Sequence, residues 1–93
     1  MQMTTQYIKL INLINKNTQL EVCPQYNNRR VDYSKSVIKV GEPLRICDLE
    51  TCYFQHEEVI GIKEYYDGFE VTTSRKTWFF EYCDEEWNSI GGE

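Results

Sequence analysis

The chain has little of what membrane proteins and common enzyme families require. It has one histidine, two prolines and no apolar run approaching the roughly 18 residues that a membrane-spanning helix needs. It contains no G-x-S-x-G sequence and no glycine-rich phosphate loop, and His56-Glu57-Glu58 lacks the second histidine of H-E-x-x-H metalloproteases. No basic segment followed by an apolar stretch opens the chain. We therefore expect a cytoplasmic protein that is not an enzyme, needs no cofactor and has no membrane segment.

The composition is that of a packed globular protein. The 93 residues include seven Tyr, four Phe and two Trp, a high aromatic content that argues against disorder. A chain of this length holds one hydrophobic core. We expect a single domain over 1–93, with flexible ends at 1–6 and 88–93 and a solvated polar loop over 24–35.

Strand signals dominate the chain. Segments 59–66 and 69–73 are rich in β-branched and aromatic residues and flank Asp67-Gly68, a pair typical of a two-residue hairpin loop. In segment 7–14, three Ile and one Tyr favour a strand, although the spacing of its apolar residues also fits a helix. The predicted fold is mainly β, a small curved antiparallel sheet or SH3-like barrel. An α+β sheet with an N-terminal helix packed on it is the alternative.

The hairpin has a predicted register. If Asp67 and Gly68 form its loop, Tyr66 faces Phe69 across the turn. One face is then predicted to be core, and it comprises Ile60, Ile62, Tyr66, Phe69 and Val71. The other face points away from the core and carries Lys63, Tyr65, Glu70 and Thr72. The next strand, 77–83, is largely apolar on both faces and is predicted to be covered on both.

The net charge of −5 is unevenly distributed. Segment 1–45 carries seven basic and three acidic side chains, a net charge of +4. Segment 46–93 carries three basic and twelve acidic side chains, a net charge of −9. If the fold keeps these halves on different faces, the acidic face will steer towards a basic partner. The alternative is that the acidic residues serve only solubility.

Aromatic and acidic residues alternate near the C-terminus. Tyr and Trp supply large contact areas at interface hot spots, and charged rims add association rate and orientation. The predicted partner-binding residues are Trp78, Tyr82, Asp84, Glu85, Glu86 and Trp87. Their predicted partner is a protein with a basic surface. Alternatively, Trp87 folds back to cap the core and the acidic residues cap a terminal helical turn.

The four cysteines allow more than one interpretation. In a reducing compartment, buried free thiols are expected for Cys23 and the other three. A zinc site is the alternative, since C-x4-C-x3-H spacing relates three residues and a fourth would complete a tetrahedron. Those three are Cys47, Cys52 and His56, and the fourth is Cys83 or Cys23.

Segment 24–35 also has the residue types of a phosphate-binding loop. Arg29 and Arg30 stand near Tyr26 and Lys35, and small β-barrels can bind nucleic acids through such residues. The overall acidity disfavours direct nucleic-acid binding. We therefore expect a solvated loop there.

Four segments, 40–46, 58–64, 68–73 and 77–81, together resemble a pattern in small uncharacterised phage and prophage β proteins. The resemblance covers the second half of the chain and departs from the pattern at His56-Glu57, where Thr-Ser is common. Some of those proteins are encoded near anti-defence genes. The resemblance implies an anti-defence inhibitor, such as an anti-CRISPR protein.

Three functions follow as hypotheses. The first is a non-enzymatic inhibitor that binds a host defence protein, such as a nucleic-acid-binding CRISPR effector, through the acidic aromatic end. The second is a small virion or assembly protein. The third is a small β domain that binds zinc or nucleic acid, or a hydrolytic enzyme that uses such a metal.

Overall fold

Six antiparallel strands make up the protein in the computed structural model, which describes residues 7–50 and 52–90, with the side chains of 52–56 outside that description. The strands are β1 (Tyr7–Asn15), β2 (Arg29–Asp32), β3 (Pro43–Cys47), β4 (Cys52–Tyr65), β5 (Gly68–Thr73) and β6 (Lys76–Tyr82). One 3₁₀ turn, Pro24–Tyr26, precedes β2. Within the described ranges, no helix is long and apolar enough to cross a membrane.

The strands form one sheet in the order β2-β1-β6-β5-β4-β3, nearly closed into a barrel. The first and last strands of the chain pair along seven residue pairs. The seam between β2 and β3 is bridged at Val31 and Asp48. The predicted mainly-β fold with a small curved antiparallel sheet is confirmed, and the predicted N-terminal helix is wrong.

A bulge interrupts the alternation of β1 between Leu10 and Asn12. Ile8, Leu10 and Leu13 all face the core. The pairing with β6 shifts between Leu10 and Asn12, so one extra residue enters the strand there. This extra residue lengthens the spacing of core residues from two to three, which imitates a helical repeat.

The core fills the inside of the barrel from all six strands. Its buried members include Ile8, Leu10, Leu13, Val31, Leu44, Ile46, Val59, Phe69, Val71, Trp78 and Phe80. The rings of Phe69 and Phe80 stack with centroids 4.8 Å apart. The two residues are also directly opposed in the β5–β6 ladder, so the stack ties these strands together.

The β4–β5 hairpin exists where predicted but in a different register. Its loop residues are Tyr66 and Asp67, so Tyr65 faces Gly68 and Glu64 faces Phe69. A bulge between Val59 and Gly61 changes the alternation along β4. Phe69 and Val71 are in the core as predicted, and Lys63 and Glu70 face each other on the other side.

Three residues of the predicted core face are therefore exposed. Tyr66 is 89% exposed, Ile60 55% and Ile62 38%. Tyr66 lies in the turn, Ile60 lies at the bulge, and Ile62 lies opposite Val71 on the part of β4 beyond its pairing with β3. Their predicted burial is wrong because the register and the bulge, rather than local alternation, set their surroundings.

Gly68 is required for strand contact and not for a left-handed turn conformation. A Cβ at this position would lie 2.1 Å from the carbonyl oxygen of Phe80 and 2.9 Å from the Cα of Glu81. Glycine is needed here because the absence of a Cβ lets the backbones of β5 and β6 approach closely.

Two further predictions concern loops and ends. The predicted polar loop 24–35 contains β2, whose Val31 is fully buried. Arg29 is paired with Asp48, with Nη1 and Oδ2 2.7 Å apart across the seam. Of the predicted flexible ends, 1–6 and 91–93 lie outside the described residues, and in 88–90 the N–H groups of Asn88 and Ile90 donate to Asp84 Oδ1 and to the Tyr82 carbonyl.

A polar network closes the end of the barrel where β5 turns into β6. The Thr73 hydroxyl donates to Oε1 of Glu57 at 2.6 Å and accepts from the indole N–H of Trp78 at 3.2 Å. Lys76 Nζ lies 2.6 Å from Glu57 Oε2. Burial alone would raise the pKa of Glu57, but the hydrogen bonds from Lys76 and Thr73 outweigh burial and lower it. Glu57 is therefore held as an anion by structural partners.

Candidate protein-binding surface

Strand β6 directs alternate side chains to the inside and the outside of the barrel. Trp78, Phe80 and Tyr82 share the inner face. Trp78 is 1% exposed, so its predicted place on an accessible partner-binding surface is wrong. Phe79 lies on the outer face and is half-buried beside Glu70. Of the inner residues, Tyr82 lies nearest the end of the strand and reaches the solvent.

Tyr82 marks the open end of the barrel. Its hydroxyl donates a hydrogen bond to Glu64 Oε1 at 2.8 Å, and its ring lies 5.7 Å from that of Phe69. Burial, followed by the hydrogen bond to Glu64, raises the pKa of Tyr82 to about 12. The phenol is neutral at physiological pH and orients the Glu64 carboxylate.

Two backbone hydrogen bonds bring other segments to Tyr82. Its N–H donates to the Asp67 carbonyl at 3.0 Å, which places the hairpin tip beside it. Its carbonyl accepts from the N–H of Ile90 at 3.2 Å. The resulting group, which we call the Tyr82 surface, consists of Ile62, Glu64, Tyr66, Asp67, Tyr82 and Ile90.

The Tyr82 surface combines exposed apolar groups with carboxylates. Tyr66, Ile90 and Ile62 are exposed apolar side chains. Within the part of the chain that the structure describes, neither Glu64 nor Asp67 forms an ion pair. The carboxylates of Glu64 and Asp67 therefore face the solvent without a paired cationic side chain.

Sequence reasoning missed Ile62, Tyr66 and Ile90 as surface residues. The hairpin pattern assigned the first two to the core, and no local signal singles out Ile90. Gly61 was the available hint, because a glycine inside a strand often marks a bulge. The predicted Tyr82 is retained, and the structure brings it together with these three.

The predicted acidic residues Asp84, Glu85 and Glu86 lie in a turn that follows β6. The Asp84 carboxylate accepts hydrogen bonds from the N–H groups of Glu86 at 2.8 Å and Asn88 at 3.0 Å. These bonds, with that from Asn88 first, lower the pKa of Asp84. Residues 83–90, which we call the C-terminal strap, contain no helical turn, so the predicted cap of a helical turn is wrong. Glu85 and Glu86 remain exposed.

Trp87 folds back, but onto the outside of the barrel and not onto the core. Its ring meets that of Tyr7 edge-on, with centroids 5.2 Å apart and an interplanar angle of 83°. The guanidinium of Arg30 lies 5.2 Å from the Trp87 centroid. Trp87 is half-buried and has φ of 68°.

The two differently charged halves of the chain meet at the strap. Lys9 and Arg30 from the basic half, and Glu81 and Asp84 from the acidic half, all act electrostatically on Cys83. The basic side chains of β1 and β2 therefore flank the acidic strap on one side.

The cysteines do not all behave as predicted. Cys83 is a buried free thiol whose pKa is raised, chiefly by burial, and Cys23 is free and half-buried. Cys47 is disulfide-bonded, so the expectation of a free thiol is wrong there. The sulfur of Cys47 is consequently unavailable as a zinc ligand. The side chains of Cys52 and His56 lie outside the described residues.

No group of three or more His, Cys, Asp or Glu side chains suited to a metal occurs among the residues that the structure describes. A shallow cleft of about 320 Å³ opens at the seam, lined by Asn28, Arg29, Arg30, Asp48, Leu49 and Glu50. Its two arginines and two acids offset one another, and Arg29 and Asp48 are paired. Among the described residues that line the cleft, no nucleophile lies beside a base.

Comparison of the chain with protein-family models, with curated proteins and with solved structures finds no match.

Proposed function

We propose that this protein is a non-catalytic binding domain that engages a basic surface of another protein through its Tyr82 surface. The observation that carries the proposal is the tip residue Tyr66, 89% exposed and adjacent to Asp67. A tyrosine is a rigid contact group that loses little entropy on binding. Because the Tyr66 side chain is exposed at the hairpin tip, it has no evident role in folding.

The surroundings of Tyr66 support an interface of ordinary anatomy. Ile62 and Ile90 extend the apolar area, and Glu64 and Asp67 supply a charged rim. Such a rim increases the association rate and selects the orientation of an oppositely charged partner. Glu85 and Glu86 on the neighbouring strap add to the same negative field.

The class of partner remains a prediction from the sequence. The resemblance to phage proteins suggests a host defence protein, and a basic nucleic-acid-binding groove, as in a CRISPR effector, has the charge that the Tyr82 surface complements. Assembly through sheet edges stays the alternative prediction, and its candidate edge is the part of β4 beyond Glu58, which pairs with β5 but not with β3.

Affinity measurements on matched variants test the proposal. Candidate effector proteins are immobilised, and binding of the wild-type protein is compared with that of Tyr66→Ser and of Glu64→Gln. We expect Tyr66→Ser to weaken binding about tenfold or more, mainly through faster dissociation. Glu64→Gln should chiefly slow association and reduce the salt dependence.

Two control variants lie at the opposite end of the barrel. Leu20→Ser removes an apolar side chain that is 66% exposed, and Glu58→Gln removes one exposed negative charge. Both should bind like the wild type. An interaction that loses as much affinity with the controls as with Tyr66→Ser and Glu64→Gln contradicts the proposal.

A further inference from the structure

We infer that Trp87 is a positioning residue: it docks the C-terminal strap on the outside of β1 and β2 and thereby holds Ile90 in the Tyr82 surface. The part of this inference that concerns partner binding rests on the proposed function. The docking itself concerns the free protein and is measured without a partner.

The strap has separate internal and external fastenings. Internally, the Asp84 carboxylate accepts from the N–H groups of Glu86 and Asn88, and the Asp84 carbonyl accepts from the N–H of Trp87 at 3.0 Å. These bonds shape the turn without attaching it to the barrel. Asp84 therefore determines the form of the strap but not its position.

The strap is attached to the barrel at its start, at the Trp87 ring and at its end. At the start, the Cys83 N–H donates to the Tyr7 carbonyl at 2.8 Å. The Trp87 ring contacts Tyr7 of β1 and Arg30 of β2, which are neighbouring strands. At the end, the Ile90 N–H donates to the Tyr82 carbonyl. The ring contacts thus hold the middle of the strap, and the backbone bonds hold its start and its end.

The backbone of Trp87 is in the left-handed region while its ring is docked. A φ of 68° is rare for a bulky residue and persists where the surroundings over-determine it. In this conformation the indole reaches Tyr7 and Arg30. A Trp without these contacts would leave the left-handed region, and the strap following it would change direction.

This inference gives Trp87 a role different from partner contact. Its ring is half-buried and already engaged by Tyr7 and Arg30, so little of it is left for another protein. The acidic Glu85 and Glu86 and the apolar Ile90 are the strap residues that face the solvent. Their placement depends on the strap remaining docked.

Amide hydrogen exchange on the free protein, followed by NMR, tests the inference. Trp87→Asn is the informative variant, because Asn removes the ring but tolerates the left-handed conformation. We expect exchange at the Ile90 N–H to accelerate about tenfold or more, whereas that at the Glu86 N–H changes little. Trp87→Phe, which keeps an aromatic ring, should restore much of the protection.

Arg30→Gln provides a second variant that leaves the core intact. Removing the cation over the ring should accelerate Ile90 exchange about two- to fivefold. Asp84→Ala is the matched control, and it should expose the Glu86 N–H instead. Unchanged Ile90 protection in both Trp87→Asn and Arg30→Gln overturns the inference, whether or not a partner has been found. With a partner in hand, Trp87→Asn should weaken binding and Trp87→Phe should restore it.

Discussion

The Tyr82 hydroxyl and the Glu64 carboxylate meet at 2.8 Å across the open end of the barrel, on strands that are not neighbours in the sheet. Strand β5 lies between them and contributes Phe69, whose ring lies beside Tyr82. The hydrogen bond therefore spans the mouth above a core residue. It also connects the β4–β5 hairpin to β6, the strand that precedes the C-terminal strap.

The titration of Tyr82 should reveal this contact. Because its pKa in the folded protein is about 12, Tyr82 should ionise after ordinary tyrosines, which have a pKa near roughly 10. Ultraviolet absorbance of phenolate, compared between the wild type and Tyr82→Phe, isolates its contribution. Glu64→Gln should lower the pKa of Tyr82 only partly, since burial is the larger cause. A Tyr82 that ionises near roughly 10, the pKa of tyrosine in model peptides, would contradict this account.

The same shift has a consequence for stability at high pH. The raised pKa means that the neutral phenol is favoured in the folded state. The stabilisation is complete below the unfolded-state pKa and is lost as pH rises to about 12, the pKa of Tyr82 in the folded protein. Tyr82→Phe should therefore lose less stability than the wild type over that interval, as measured by urea unfolding.

Glu57 should stabilise the opposite end of the barrel. Glu57→Gln breaks the ion pair with Lys76 and should lower the free energy of unfolding by about 1–2 kcal/mol at neutral pH. Because the pKa of Glu57 is lowered, its contribution is present above the unfolded-state pKa and disappears as pH falls through the folded-state pKa. The difference between the two proteins should shrink accordingly in acid.

The adjacent Glu58 offers the control for this experiment. It is exposed, whereas Glu57 is mostly buried. Glu58→Gln should change stability by no more than about 0.5 kcal/mol. If both substitutions changed the free energy of unfolding equally, the cause would be the net charge and not the hydrogen bonds of Glu57 with Lys76 and Thr73.

Glycine substitutions should separate close approach from chain flexibility. Gly68→Ala places a methyl group 2.1 Å from the Phe80 carbonyl oxygen and should cost about 2 kcal/mol or more, measured by thermal or urea unfolding. Gly61→Ala meets nothing within 4 Å and should be neutral or slightly stabilising. Similar stabilities for the two variants would disprove the tight β5–β6 contact.

Cysteine alkylation should distinguish the free thiols from the disulfide. In denatured, unreduced protein, iodoacetamide should label Cys23 and Cys83 but leave Cys47 unmodified until a reductant is added. In the native protein, Cys83 should react more slowly than Cys23, because it is buried and its pKa is raised. Mass spectrometry of peptides reports each site, and early labelling of Cys47 would contradict the disulfide.

Most of the fold could be predicted from local patterns. Alternating apolar residues and turn signals predicted a mainly-β antiparallel structure and located the hairpin near Asp67. Local patterns failed at two of the three register shifts, in β1 after Leu10 and in β4 after Val59. A bulge is stabilised by pairing with a neighbouring strand, so the sequence of one strand contains little record of it.

The candidate site was predicted less completely than the fold. Tyr82 and the acidic residues were found, because their types and clustering are visible in the chain. Trp78 was predicted at the surface but is buried, and Tyr66 was predicted in the core but is exposed. The environment of each depends on strand register. A register change and a bulge are sufficient to move a side chain between these environments.

The sequence by itself determined the strand-forming segments, the hairpin and the acidic, aromatic C-terminus, because these depend on the chemistry of neighbouring residues. Only the tertiary structure decided that Tyr66 lies exposed, that Trp87 lies against Tyr7 and Arg30, and that Cys47 is disulfide-bonded. Each of these outcomes joins residues far apart in the chain or depends on how strands align. Barrel closure brings such residues together, and its geometry is a property of all six strands.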